Sequence, residues 1–181
     1  ALVKSGKIRQ IGVSNETPWG LAEYLRVSAQ KEVARIASIQ NPYNLLNRTF
    51  EVGLAEICQR EQISLLAYSP TAEATLSGKY LNNQQAVGNK LPQQAGFARY
   101  KGGQANFAIE AYVELARKAG IEPIQMALAF VNARPFITST IVGASKLEQL
   151  EANINSINIE LPKEVIKGIE KIHLSQPNPC P

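Results

Sequence analysis

Four times along the chain a short, mostly apolar run gives way to a segment whose apolar residues recur every three or four positions. The runs Ile8–Val13 (IRQIGV), Arg35–Gln40, Ile63–Tyr68 (ISLLAY) and Ile137–Val142 (ITSTIV) predict buried β-strands. Between them the spacing predicts helices. Thr17 followed by Pro18 supplies an N-cap and a proline at the first helical position, opening a helix to about Gln30 with Leu21, Leu25 and Val27 inward. Thr49 to Glu61 reads as a second helix, its apolar face formed by Val52 or Leu54 with Ile57 and Cys58. Phe107–Ala119 carries Ile109, Tyr112, Val113 and Ala116 on one face and stops at Gly120. Pro123 opens another helix, over Ile124 to about Ala133. Ser145 and Glu148 form a capping-box pattern before a helix to Asn155 with Leu147, Leu150 and Ile154 in line. The last helix runs from Pro162 to about Leu174, and the proline-rich tail Pro177–Pro181 cannot continue it.

Strands that read as continuous apolar runs and alternate with helices predict an α/β fold with a parallel sheet covered by helices. Four such units are present in 181 residues. A closed (β/α)8 barrel needs eight units and about 250 residues. The pattern therefore leaves two options, an open four-stranded sheet or four units of a barrel. One segment, Ser69 to Gln104, has little periodicity and is rich in Gly, Asn, Gln and Lys. A connection that long inside a compact domain is usually functional or mobile. The opening Ala1–Lys7 reads as a helix end running into a turn, with further chain expected upstream.

Composition narrows the chemistry. Apolar residues make up 45% and charged residues 19%, a globular balance, and the net charge of +4 is spread without a basic run, which argues against a nucleic-acid partner. No apolar stretch approaches the roughly 20 residues of a membrane span. Cys58 and Cys180 have no metal-ligand spacing, and Cys58 lies among core positions; with no signal-peptide pattern a reducing, cytoplasmic setting is expected. All 15 acidic residues are glutamates, and the single histidine is His173. A Ser-His-Asp triad or a histidine-rich metal site cannot be assembled from these residues alone.

Parallel α/β folds bind ligands beyond the carboxyl ends of their strands. There the sequence places Ser14 and Asn15, Gln40 and Asn41, Tyr68–Pro70, and Gly143–Ser145. Each has an ordinary reading: a strand-to-helix turn, an amide bonded to a neighbouring loop, a core aromatic, a helix cap. Together they share a chemical sense. Ser14, Asn15 and Gln40 can hold a carboxamide, Tyr68 can stack on a heteroaromatic ring, and a Gly-Ala-Ser turn at a helix N-terminus offers N–H groups to a phosphate.

The segments GKIRQIGVSN, SIQNPYNLLNR, AYSP with TLSGKY, and STIVGASKLEQLEANI, in this order and spacing, resemble the C-terminal half of an aldo-keto reductase. The likeness is to its Tas-like branch, near the potassium-channel β subunits, and extends over the whole chain. It implies a (β/α)8 TIM barrel of which this chain supplies strands five to eight, with NADP(H) lying across the carboxyl ends of the strands and hydride passing to or from aldehydes, ketones or alcohols. By resemblance, Ser14, Asn15 and Gln40 hold the nicotinamide carboxamide and Tyr68 stacks on the ring. Ser69, Pro70, Thr71 and Ala72, with Lys79, cover the pyrophosphate. Gly143, Ser145, Gln149 and Asn153 form the adenosine-phosphate end, and Arg99 stands near the 2′-phosphate. Thr71 replaces a leucine of the relatives, Glu73 and Ala74 replace loop glycines, and Ala152 replaces a glutamate near the adenine.

The family's catalytic Asp, Tyr, Lys and His belong to the first half of the barrel, so the resemblance assigns no catalytic residue here. The partners it implies are a small carbonyl substrate and an N-terminal half-barrel. A half-barrel standing alone is expected to expose two strand edges and an apolar inner face, and to self-associate. The alternative reading is a separate half-barrel protein that binds cofactor or serves structurally. A Rossmann-like binder lacks its G-x-G-x-x-G after the first strand.

Overall fold

The four expected strands form one parallel sheet, each shifted at its ends by the ladder it joins. The computed structural model describes residues 1–31, 33–81, 99–100 and 102–181. Strands β1 (Ile11–Ser14), β2 (Ile36–Pro42), β3 (Ser64–Tyr68) and β4 (Ile137–Thr140) lie side by side in chain order. Helix α1 (Pro18–Lys31) connects β1 to β2, and a 3-10 turn (Thr49–Glu51) with α2 (Leu54–Glu61) connects β2 to β3. Helices α3 (Gly103–Lys118) and α4 (Pro123–Asn132) precede β4, and α5 (Leu147–Asn155) and α6 (Lys163–Ser175) follow it.

Strand order 1-2-3-4, with the helices on one face, is the winding of a barrel segment. A doubly wound dinucleotide fold reverses its strand order and covers both faces, so the Rossmann-like alternative is excluded. The covered face carries Ile39, Leu65 and Ala67, all fully buried against Phe130, Met126 and Tyr43 in a single apolar core. The opposite face carries Gly12, Ser14, Ser38, Gln40, Ser64, Leu66 and Ser139, aligned across the four strands by the parallel register. That face was expected to be apolar. It is built instead largely of small and polar side chains around Leu66, with Pro42 and Tyr68 at its carboxyl end, and Gln40 is exposed on it.

Several element boundaries differ from the pattern, each for a local reason. Strand β1 begins three residues later than expected because Lys7 and Ile8 donate backbone hydrogen bonds back to Leu2, closing a turn at 3.1 and 3.4 Å. Asn41 and Pro42, read as a turn, extend β2 and pair with Ala67 and Tyr68. Val142 lies outside β4, although the Ile141 N–H still reaches the Ala67 carbonyl at 2.8 Å. The helix expected from Thr49 is split by Gly53, whose φ of 89° favours glycine, and Val52 is exposed, so Leu54 is the core residue.

Thr17 does cap α1, its Oγ1 accepting from the Gly20 N–H at 3.1 Å. The Ser145–Glu148 capping box is not formed. Lys146 occupies the cap position without a side-chain hydrogen bond, and it is the Gln149 Oε1 that accepts from the Ser145 N–H and hydroxyl, both at 3.2 Å. The expected Leu147–Leu150–Ile154 face of α5 meets no core, and no residue of that helix is buried. Helix α3 starts at Gly103, inside the long Ser69–Gln104 segment, which also holds a 3-10 turn at Thr75–Ser77, and positions 82–98 and 101 lie outside the described residues. Both cysteines are buried and unbridged.

Candidate functional site

The carboxyl ends of β1, β2 and β3 are tied together by side chains. The Ser14 hydroxyl donates to the Gln40 carbonyl at 2.8 Å. Asn15 has a left-handed backbone, φ 56°, a conformation asparagine tolerates well. Its N–H is held by the Asn41 side-chain oxygen at 2.8 Å and its own side-chain oxygen accepts from the Tyr68 hydroxyl at 2.9 Å. The Asn15 amide nitrogen and the Gln40 side chain have no hydrogen-bond partner among the described residues. Ser14, Asn15, Gln40 and Tyr68 thus meet at one corner, with free amide groups suited to a carboxamide.

From Tyr68 an open cleft of about 940 Å³ runs to the N-terminal end of α5. Of the candidate residues it gathers Tyr68, Ser69, Pro70, Thr71, Lys79, Gly143, Gln149 and Asn153. Ala72 is fully buried behind its wall. Ser145 stands just outside, bonded to Gln149, while Asn153 reaches the Gly143 carbonyl at 3.5 Å. Arg99 is not on the cleft wall. Its guanidinium lies against the phenols of Tyr68 and Tyr100, and the hydrogen bond to Tyr68 is the chief reason it holds its proton above the ordinary arginine value.

The loop after β3 is wound unusually tightly. Ser69, Ala72, Glu73 and Ala74 all have positive φ, between 50° and 62°. The three consecutive left-handed residues wind one tight turn, in which the Ala72 N–H bonds the Ser69 carbonyl and the Ala74 N–H bonds the Thr71 hydroxyl. The N–H groups of Thr71 and Glu73 make no hydrogen bond among the described residues, and neither do those of Gly143 and Ala144 across the cleft. The donor set therefore fits a ligand with a carboxamide at one end and phosphates further along. Glu73 adds an opposing charge beside the loop, where its carboxylate accepts the Ser69 hydroxyl at 2.9 Å.

Two residues support the site without having been assigned a role: Asn44, absent from the candidates, and Asn41, placed only at a strand end. Asn44 is fully buried beneath the loop. Its amide nitrogen donates to the Ser69 carbonyl at 3.0 Å and the Tyr100 hydroxyl at 3.2 Å, while its oxygen accepts the Leu46 and Asn47 N–H groups. Asn41 holds the Ser14–Asn15 turn as described. Both stand in the Asn41-Pro42-Tyr43-Asn44 stretch, whose turn-like composition masks their bracing role. The cleft also takes Glu122, Ile124 and Gln125 from the start of α4, an element the strand-end argument does not inspect. Among the described residues no group of three or more His, Cys or Glu side chains is placed to hold a metal, and no helix is long and apolar enough to cross a membrane.

The chain is 48% identical over 178 residues to Protein tas of Escherichia coli K12, covering 98% of this chain and 51% of Tas. It is 40% identical over 160 residues to an aldo-keto reductase of Babesia bovis, covering 85% and 56% of the two chains. It is 30% identical over 164 residues to the L-glyceraldehyde 3-phosphate reductase of E. coli K12, covering 86% and 46%. The chain thus spans about half the length of the curated relatives it matches. The Aldo/keto reductase family model matches residues 1–174, and the chain belongs to that family of oxidoreductases.

Proposed function

We propose that this chain is the dinucleotide-binding part of a reductase that moves hydride between a nicotinamide dinucleotide, NADP(H) by the family resemblance, and a small carbonyl compound or its alcohol. In this reading it corresponds to strands five to eight, the C-terminal half of the barrel. The observation that carries it is the cleft from Tyr68 to Asn153, joined to the Asn15 amide through the Tyr68 hydroxyl and carrying the Thr71, Glu73 and Gly143 N–H groups, unpartnered among the described residues, on its walls. The bound cofactor supplies the hydride. Asn15 and Gln40 orient its carboxamide with Ser14, the Tyr68 ring flanks the nicotinamide, and the Thr71 and Glu73 N–H groups with Lys79 receive the pyrophosphate. Gly143, Ser145, Gln149 and Asn153 hold the adenosine end.

In the described site the Tyr68 hydroxyl is engaged with the Asn15 side chain. The sequence has no aspartate, and its one histidine, His173, lies on α6. The proton relay is therefore assigned to chain outside these 181 residues. Titrating NADPH against the purified chain by fluorescence tests both parts. Saturable binding without reduction of a test aldehyde is expected. Absence of binding overturns the cofactor role, and NADPH-dependent turnover overturns the assignment of catalysis to residues elsewhere.

A further inference from the structure

The cleft has a charge pattern that its backbone N–H groups do not explain. Among the described residues its walls carry one lysine, Lys79, and two carboxylates, Glu73 and Glu122. Glu73 belongs to the loop after β3 and is engaged with Ser69. Glu122 comes from the start of α4, and its place along the cleft is fixed by its neighbour. Gln125, one turn on, donates its side-chain amide to the Ala152 carbonyl on α5 at 2.9 Å. That contact sets the start of α4 beside Gln149, Ala152 and Asn153, at the end opposite Tyr68. One Glu122 oxygen caps α4 by accepting the Gln125 N–H at 2.9 Å, and the other has no partner among the described residues. Arg99, the cation the resemblance puts near a 2′-phosphate, is engaged with Tyr68 and stands off the cleft wall.

A carboxylate facing an adenosine ribose accepts hydrogen bonds from its 2′- and 3′-hydroxyls and repels a phosphate at the same position, whereas a cation there does the reverse. We infer that Glu122 is a specificity-determining residue of the cleft, selecting a ribose with free hydroxyls and weakening the hold on a 2′-phosphate. The dinucleotide without the 2′-phosphate then binds at least as well as NADP(H). The inference rests on the dinucleotide reading of the cleft, and it concerns only the adenosine end.

The test uses half-ligands that omit the nicotinamide, so it depends on no turnover. Affinities of the 181-residue chain for 5′-AMP and for 2′,5′-ADP are measured by calorimetry or by ligand-observed NMR at low ionic strength. The expected result is that 5′-AMP binds at least as tightly as 2′,5′-ADP. Glu122→Gln then shifts the ratio toward 2′,5′-ADP by roughly five- to tenfold, the size of one removed like-charge contact near a protein surface. Glu122→Ser, which keeps a strong helix cap while deleting the carboxylate, gives the same shift and guards against a variant that misfolds. Added salt shrinks the difference between wild type and variants. A strong wild-type preference for 2′,5′-ADP, or a ratio unmoved in both variants, overturns the inference while leaving the dinucleotide reading intact. Failure of both half-ligands to bind the folded chain overturns the two together.

Discussion

Ala72, Glu73 and Ala74 adopt left-handed backbone in succession, with φ of 51°, 54° and 62°, although none is glycine. A side chain in that region clashes with the following carbonyl at a cost of about 1–2 kcal/mol per residue. Strain of this kind persists only where surrounding contacts enforce it, and it collects at ligand sites. Here it leaves the Thr71 and Glu73 N–H groups beside the cleft without a hydrogen bond among the described residues. Glycine adopts this conformation without the clash, and neither Glu73 nor Ala74 is glycine. Ala74→Gly is therefore expected to stabilise the chain by about 1 kcal/mol, read as a rise in the midpoint of thermal unfolding. Ala72→Gly offers a contrast, because the Ala72 methyl is fully buried and its loss offsets the relief. Equal effects of the two substitutions, or a fall for Ala74→Gly, would show that the left-handed stretch is not strained.

At the scale of elements, β–α alternation and parallel pairing were readable from apolar runs, because burial on a sheet and helical spacing leave distinct periods. The breaks were not. The Gly53 interruption and the failed capping box depend on φ at one residue and on which side chain wins a competition for an N–H, neither of which leaves a periodic trace. The strand-end candidates were legible because parallel folds put ligands there, but Asn44 and Glu122 act from a turn and a helix start, where polar residues look ordinary. The same holds for Arg48, which ties three elements together. Its side chain is 6% exposed and pairs with Glu51 at 2.8 Å and with Glu170 of α6 at 3.0 Å, over the Phe130 ring. Its backbone N–H meets Asn178 of the tail at 2.6 Å. Arg48→Met leaves two carboxylates without their cation and is expected to cost about 3 kcal/mol at neutral pH, the low end for a broken buried pair because both partners are partly exposed. Burial alone would raise the Glu51 carboxyl, but the hydrogen bonds from Arg48 and Tyr43 hold it below its ordinary 4.5. A depressed carboxyl stabilises the fold above the unfolded value and loses that contribution as pH falls through the folded one. The wild type should therefore lose more stability than Arg48→Met on acidification below about pH 4.5, narrowing the gap in denaturant midpoints; parallel curves would break the link.

For the whole molecule the question is what covers the parts this chain leaves open. Among the described residues β1 pairs only with β2 and β4 only with β3, so the sheet has an unpaired edge on each side. Unpaired edges with apolar flanks recruit further strands. Beside β4, helix α5 exposes Leu147, Leu150 and Ile154, at 67%, 40% and 61%. Beside β1, helix α1 exposes Trp19 at 75% and Tyr24 at 48%. The open sheet face contributes little to association, since its serines, Gly12 and Gln40 are small or polar. The expected outcome is that the chain at tens of micromolar sediments as dimers or larger species. Ile154→Glu, on a helix with no buried residue, should shift it toward monomer without lowering the unfolding midpoint, because an exposed position contributes little to the core. Sedimentation velocity on both proteins reads the difference. A wild type that runs as a monodisperse monomer removes the edges as interaction surfaces. Association unchanged in Ile154→Glu moves the contact away from α5, to the β1 side and its exposed Trp19.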